Sequence, residues 1–182
     1  RVYLTSTSQL AVGQSLVIGS GDDRETVEII SVGLAAQTST AFAPIAAGAT
    51  RVEVTNTANF PVGSELLIGT GDALQSVTVT EVGRASSQTT LAVAAAAGDT
   101  NIKVGSVSGR QVGDVLTVNS ESVTVTSVGT QGTDGSGLGI TPLSTAQPAG
   151  APVVFNGSGL SFAPAVTEAV PAGTTIRNPR TG

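Results

Sequence analysis

The side chains of this chain leave few routes to chemistry. It contains no histidine and no cysteine. That removes Ser-His-Asp triads, His-ligated metals, thiol nucleophiles and zinc-thiolate sites. The remaining enzymatic route is a carboxylate pair of the kind that cleaves glycosides. Thirteen acids are available, but most fall at turns or at outward strand positions, and no catalytic pair is assigned. The densest group is Gly21-Asp22-Asp23-Arg24-Glu25. Calcium takes several convergent oxygens, so Asp22, Asp23 and Glu25 are candidate ligands, with a solvated hairpin tip as the bland alternative. A related stretch further on keeps Asp72 but carries Leu74 and Gln75, and a third keeps only Glu121. The site is therefore not expected to recur, and no organic cofactor is expected.

Sugar-binding modules stack pyranose rings on exposed aromatic side chains. The rings here are Tyr3, Phe42, Phe60, Phe155 and Phe162. Tyr3 is replaced by Glu53 and Lys103 at the matching positions of the later stretches, which puts it on an outward face and makes it the candidate ligand residue for a glycan. Phe42 and Phe60 are expected in the core.

Charge excludes other partners. The net charge is −5, and Lys103 is the single lysine among eight basic residues. Nucleic acid needs clustered Lys and Arg to neutralise phosphates, and an anionic membrane surface needs the same. No apolar run approaches the roughly 18 residues of a membrane-spanning helix, so no membrane insertion is expected. The lack of cysteine is compatible with secretion without proving it.

What positions these residues is a repeat. RVYLTSTSQLAVGQSLVIG from Arg1, RVEVTNTANFPVGSELLIG from Arg51 and NIKVGSVSGRQVGDVLTVN from Asn101 are versions of one phrase. A fixed period decides architecture before any motif does. Each copy opens on an alternating strand (Val2/Leu4, Val52/Val54, Ile102/Val104), whose paired residues mark one buried face. A Val-Gly turn follows at Gly13, Gly63 and Gly113. Next come a second strand (16–18, 66–68, 115–118), a hairpin tip and a Val/Thr-rich third strand (27–32, 77–82, 123–128) of strong β character. A fourth strand (40–44, 90–93, 138–143) is expected to close each unit. GSGLGITPLSTAQPAG at 135–150 recurs as GSGLSFAPAVTEAVPAG at 157–173, a duplicated closing strand and return. No helix is predicted.

The expected fold is all-β, in tandem small sandwich or barrel-like units of about fifty residues: unit 1 over 1–50, unit 2 over 51–100, and unit 3 over 101–182 with the duplicated strand. Because Arg1-Val2 matches Arg51-Val52, a processed chain or an excised fragment is expected. Thr174, Thr175 and Ile176 resemble the start of a further strand without its continuation. They are predicted to leave an unpaired edge for self-association.

The phrases AGATRVEVTNTANFPVGSELLIGTG…SVTVTEVG and AGDTNIKVGSVSGRQVGDVLTVNSESVTVTSVG resemble accessory β-repeats of secreted actinobacterial cell-surface proteins and multidomain glycoside hydrolases. The resemblance covers nearly the whole chain and implies an extracellular setting with a spacer, adhesive or sugar-binding role. In such proteins the catalytic domain is separate. The leading expectation is a non-enzymatic extracellular structural protein, a filament or surface-layer subunit that self-associates or sits beside further domains of a longer chain. The alternatives are a carbohydrate-binding or spacer module and a phage fibre or decoration protein.

Overall fold

The structure, a computed structural model, describes Val2, Leu4 and residues 6–33 and 36–179. It is all-β. In chain order the strands are β1 (Ser15–Ile18), β2 (Glu25–Glu28), β3 (Gln37–Thr40), β4 (Arg51–Val52), β5 (Glu65–Ile68), β6 (Gln75–Val82) and β7 (Ser87–Thr90). They continue with β8 (Asn101–Ile102), β9 (Val115–Val118), β10 (Glu121–Val128), β11 (Leu138–Ile140), β12 (Pro152–Phe155), β13 (Leu160–Ala163) and β14 (Thr175–Asn178). Two short 3-10 turns, Gly21–Asp23 and Gly71–Ala73, cap the first two hairpins.

The hairpins β1–β2, β5–β6 and β9–β10 form where the repeat places them, and one local device starts all three. Gly13, Gly63 and Gly113 adopt φ of +86, +84 and +91, a region that side chains resist. The turn this permits aims each glycine amide at a carbonyl across the hairpin, Ile29, Val79 and Val125 respectively, at 2.8 Å in every case.

The bodies these hairpins join do not follow the fifty-residue phase. The chain divides into residues 85–157 and the remainder, 1–84 with 158–182. Residues 85–157 hold an antiparallel sheet ordered β7-β12-β9-β10-β11-β8. It curls until its end strands meet: Leu91 bridges Val104, the Ala92 amide donates to the Lys103 carbonyl at 2.8 Å, and the Gly105 amide donates to the Thr90 carbonyl at 3.0 Å. Closure removes the open edges on which sheets aggregate. Inside lie Leu91, Ile102, Val104, Leu116, Val118, Val123, Val125, Leu138, Ile140, Leu143, Val153 and Phe155. Each large aliphatic side chain so buried contributes about 1.5–3 kcal/mol.

The other body carries the same design in the order β3-β14-β5-β6-β13-β4. It closes through Ala41 and Val54, with the Phe42 amide on the Glu53 carbonyl at 2.7 Å. Phe60, Leu66, Ile68, Leu160, Phe162 and Ile176 fill its centre. Its strands come from both flanks of residues 85–157. The inner body is thus an insertion between β6 and β13, at the place where β10 connects directly to β11 in the inner body itself. The fourth strands expected over 40–44 and 90–93 fall earlier, at β3 and β7, and do not close on the hairpins that precede them. Each pairs instead with a strand far along the chain, β14 and β12, and long-range pairing replaces the units 1–50, 51–100 and 101–182.

The expected free edge at Thr174, Thr175 and Ile176 is also corrected. β14 lies inside its sheet, paired with β3 on one side and β5 on the other. Ile176 is fully buried, and the Asn178 side-chain amide donates to the Asn59 carbonyl at 3.0 Å. One inward isoleucine with a partner strand on each side makes this segment core.

Candidate interaction site

The edges left open belong to β1 and β2. Among the described strands these two pair with each other and with nothing else. Their register, Ser15↔Glu28 to Ile18↔Glu25, matches that of Glu65↔Thr78 to Ile68↔Gln75 in the outer body. Leu16, Ile18, Val27 and Ile29 thus stand where Leu66, Ile68, Val77 and Val79 stand, and where Leu116, Val118, Val123 and Val125 stand. All eight of those counterparts are buried. In this hairpin none is: Leu16, Ile18 and Ile29 are only partly buried and Val27 is 37% exposed. The hairpin backbone is built, and among the described residues no further strand lies along either of its edges.

Two complete examples show how such a hairpin is covered. The free edge of β9 receives β12, with the Asn119 amide donating to the Pro152 carbonyl at 2.7 Å. In the outer body β5 receives β14, with the Gly69 amide on the Thr175 carbonyl at 3.0 Å. On the other edge, β10 receives β11 and β6 receives β13, and both pairings contain a register shift. The Gly129 and Gly83 amides donate to the Gly137 and Gly159 carbonyls, each at 2.8 Å.

A polar latch accompanies the strands. Glu121, the first residue of β10, accepts hydrogen bonds from the Ser144 amide and hydroxyl and from the Thr145 amide and hydroxyl, in the loop between β11 and β12. Gln75, the first residue of β6, does the same with the Thr167 amide and hydroxyl and the Glu168 amide. The Ser144 amide and hydroxyl, with lesser help from the Thr145 donors, hold the Glu121 carboxyl down at about 2 from 4.5, against the opposing effect of desolvation. Donors to a carboxylate favour its charged form. A carboxyl pKa depressed in the folded state stabilises that state above the unfolded value, near 4.5, and the contribution disappears as pH falls through about 2. Gln75 fills the same role without a charge. Glu121→Gln is therefore expected to fold and to flatten the acid limb of stability. Thermal melts across that window should show the parent chain losing more Tm than the variant. Equal losses would refute the latch.

Glu25 opens β2 and stands in register with Gln75 and Glu121. The structure thus gives it a different place from the one its charge suggested. Asp22 and Asp23 lie in the 3-10 turn, whereas Glu25 is the first residue of a paired strand. Among the described residues no three acids converge as a metal site would require. In the sequence Gln75 and Glu121 stand out only as counterparts of the acidic group at 22–25. The signal was present: the hairpin tip changes length and composition between copies, yet its last position keeps a side-chain carbonyl or carboxylate acceptor.

Tyr3 lies outside the described residues. Phe60, Phe155 and Phe162 are buried in the two cores, with the Arg110 guanidinium 5.0 Å above the Phe155 ring, and Phe42 is half-buried. These four phenylalanines therefore form no flat exposed platform. Among the described residues no helix is long and apolar enough to cross a membrane. No protein-family model, curated protein or solved structure matches this chain.

Proposed function

We propose that this chain is a non-enzymatic structural element of an extracellular assembly, joined to its neighbours by β-strand pairing at its N-terminal hairpin. The observation that carries the reading is the contrast between two sheets that close on themselves and one hairpin of the same design that no other described strand joins on either edge. Strand addition to an open edge is a recurring mode of protein association, with main-chain hydrogen bonds supplying affinity and side-chain pockets supplying specificity. The sequence adds that histidine and cysteine are absent and that basic residues are too few for nucleic acid. The aliphatic cores of the two bodies occupy the apolar strand faces that a small-molecule pocket would use.

Electron microscopy of the source material with a gold-labelled antibody to this chain tests the reading. Label along a fibre, a surface layer or a particle is the expected result, and label confined to the cell interior overturns it. A thermal-shift panel of soluble polysaccharides and divalent cations separates the carbohydrate reading. The structural role expects Tm to stay within about 1 °C, since a ligand at a hundred times its Kd adds about 2.7 kcal/mol. A saturable rise of several degrees with a glycan would replace this proposal with the carbohydrate-binding one.

A further inference from the structure

We propose that β1–β2 is a docking cradle for one specific occupant: a strand–loop–strand segment of this same repeat type, equivalent to Leu160–Asn178, held outside these 182 residues. The proposal rests on the structural reading above and names the partner at that site.

The two closed bodies define the occupant. In each, one contiguous segment covers both free edges of the hairpin. β11, the loop and β12 do so over Leu138–Phe155, and β13, the loop and β14 do so over Leu160–Asn178. The first strand brings Leu138 and Ile140, or Leu160 and Phe162, over the hairpin's apolar face, and the second brings Val153 or Ile176. The loop between them presents Ser144-Thr145 or Thr167-Glu168 to the acceptor that opens the hairpin's second strand. The N-terminal hairpin carries every receiving group in register. Leu16, Ile18, Val27 and Ile29 form the face, Gly19 stands where Gly69 and Asn119 donate, Gly33 stands where Gly83 and Gly129 donate, and Glu25 stands where Gln75 and Glu121 accept. An apolar occupant without a Ser/Thr loop would leave Glu25 unused.

A second copy of this chain does not supply the segment. Its own Leu138–Phe155 and Leu160–Asn178 are paired on both edges inside closed sheets, and releasing either one would expose a core. The order of the chain gives the direction from which the occupant arrives. The inner body leaves through β12, and Asn156-Gly157-Ser158-Gly159 then leads into β13. The outer body leaves through β14, and Pro179-Arg180-Thr181-Gly182 occupies the same four sequence positions, with Ser158-Gly159 matched by Thr181-Gly182. A segment joined after Gly182 would enter in the register by which Ser158-Gly159 leads into β13.

The test adds a second copy of the sequence Leu160–Asn178 directly after Gly182 of the full chain and follows amide hydrogen exchange. Three or more strands sharing an apolar face are enough for independent stability. Protection at Gly19, Gly33 and the β1 and β2 amides is therefore expected to rise at least about tenfold over the unextended chain. Glu25→Ala in the extended chain is expected to remove much of that gain while leaving both closed bodies unchanged. An extension with the same composition in scrambled order is the control. Exchange at Gly19 and Gly33 that stays within about twofold, or an equal rise with the scrambled extension, overturns the proposal. A mass twice that of the monomer for the unextended chain in light scattering, abolished by Leu16→Asp, would overturn it in favour of a second copy. Each of these failures leaves the gold-labelling result, and so the structural role, standing on its own.

Discussion

Gly137→Ala is expected to unfold the inner body selectively, and Gly159→Ala the outer one. Both glycines precede a strand that covers a hairpin, and both pass against a neighbouring backbone. Gly137 has φ of +71, and a Cβ there would lie 2.2 Å from the Ile102 carbonyl oxygen. Gly159 has φ of +59, and its Cβ would lie 1.9 Å from the Val52 oxygen. In each case the clashing atom is backbone, in the short strand that closes the sheet, so relief requires β8 or β4 to move away from the core. The left-handed conformation alone costs an alanine roughly 1–2 kcal/mol. With displacement of a sheet strand the total is about 3 kcal/mol or more, which lowers the Tm of a body this size by roughly 10–20 °C. Gly150→Ala is the control. Its φ is +82 but no atom lies within 4 Å of the added carbon, so it is expected to cost about 1 kcal/mol. Hydrogen exchange read separately at Leu116 and Leu66 distinguishes the two bodies. A loss under about 5 °C for both variants would mean that these contacts do not hold the sheets together.

The same glycines show what the sequence made legible. GSGLG and GSGLS were readable as duplicated closing strands because a glycine run followed by alternating Leu and Ile or Phe is a strong local pattern. The hairpins were readable for the same reason. Val-Gly, an aliphatic run, a variable tip and a Val/Thr run specify turn, strand, loop and strand from neighbouring residues alone. The partners of the remaining strands were not. Gln37-Thr38-Ser39-Thr40 and Ser87-Gln88-Thr89-Thr90 are polar on both faces, and strands of that kind carry weak register information. Their pairing with β14 and β12 is fixed by cores to which they contribute little. Sequence neighbourhood therefore suggests that each strand closes its own repeat, where the folded chain closes β7 on the far end of its own body and β3 on a segment beyond the entire inserted one.

The candidate site divides along the same line. The tail at 174–176 read as an open edge because a single isoleucine in a polar stretch looks unfinished, and its two partner strands lie remote in sequence. The hairpin β1–β2 read as complete because its internal pattern is complete. Only comparison with two closed counterparts exposes what it lacks. Glu25 reads as a candidate cation ligand because three acids crowd five residues, whereas its strand position is the one held by Gln75 and Glu121. Acid clustering is visible in one dimension, and hydrogen-bonding partners supplied by another strand pair are not.

The nested connection leads to the second large effect. Replacing Ala85–Gly157 with Gln131-Gly132-Thr133-Asp134-Gly135 is expected to delete the inner body and leave the outer one intact. The neck already has the geometry of a tight connection. The Arg84 amide donates to the Ser158 hydroxyl oxygen at 2.8 Å, as the Thr130 amide does to Ser136. The Gly159 amide donates to the Arg84 carbonyl at 2.8 Å, as Gly137 does to Thr130, and the Gly83–Gly159 bond repeats Gly129–Gly137. The inner body also begins and ends on paired residues, Ser87 opposite Phe155, so its folding already brings the two ends of the insertion together. Substituting a short loop for a folded insertion changes closure entropy by no more than about 1 kcal/mol. The shortened chain is expected to melt in one transition, with protection at Leu66, Ile68 and Val79 within a few-fold of the parent. Loss of that protection would mean that β6 and β13 depend on the inserted body for more than their connection, and the two cores would have to be counted as one cooperative unit.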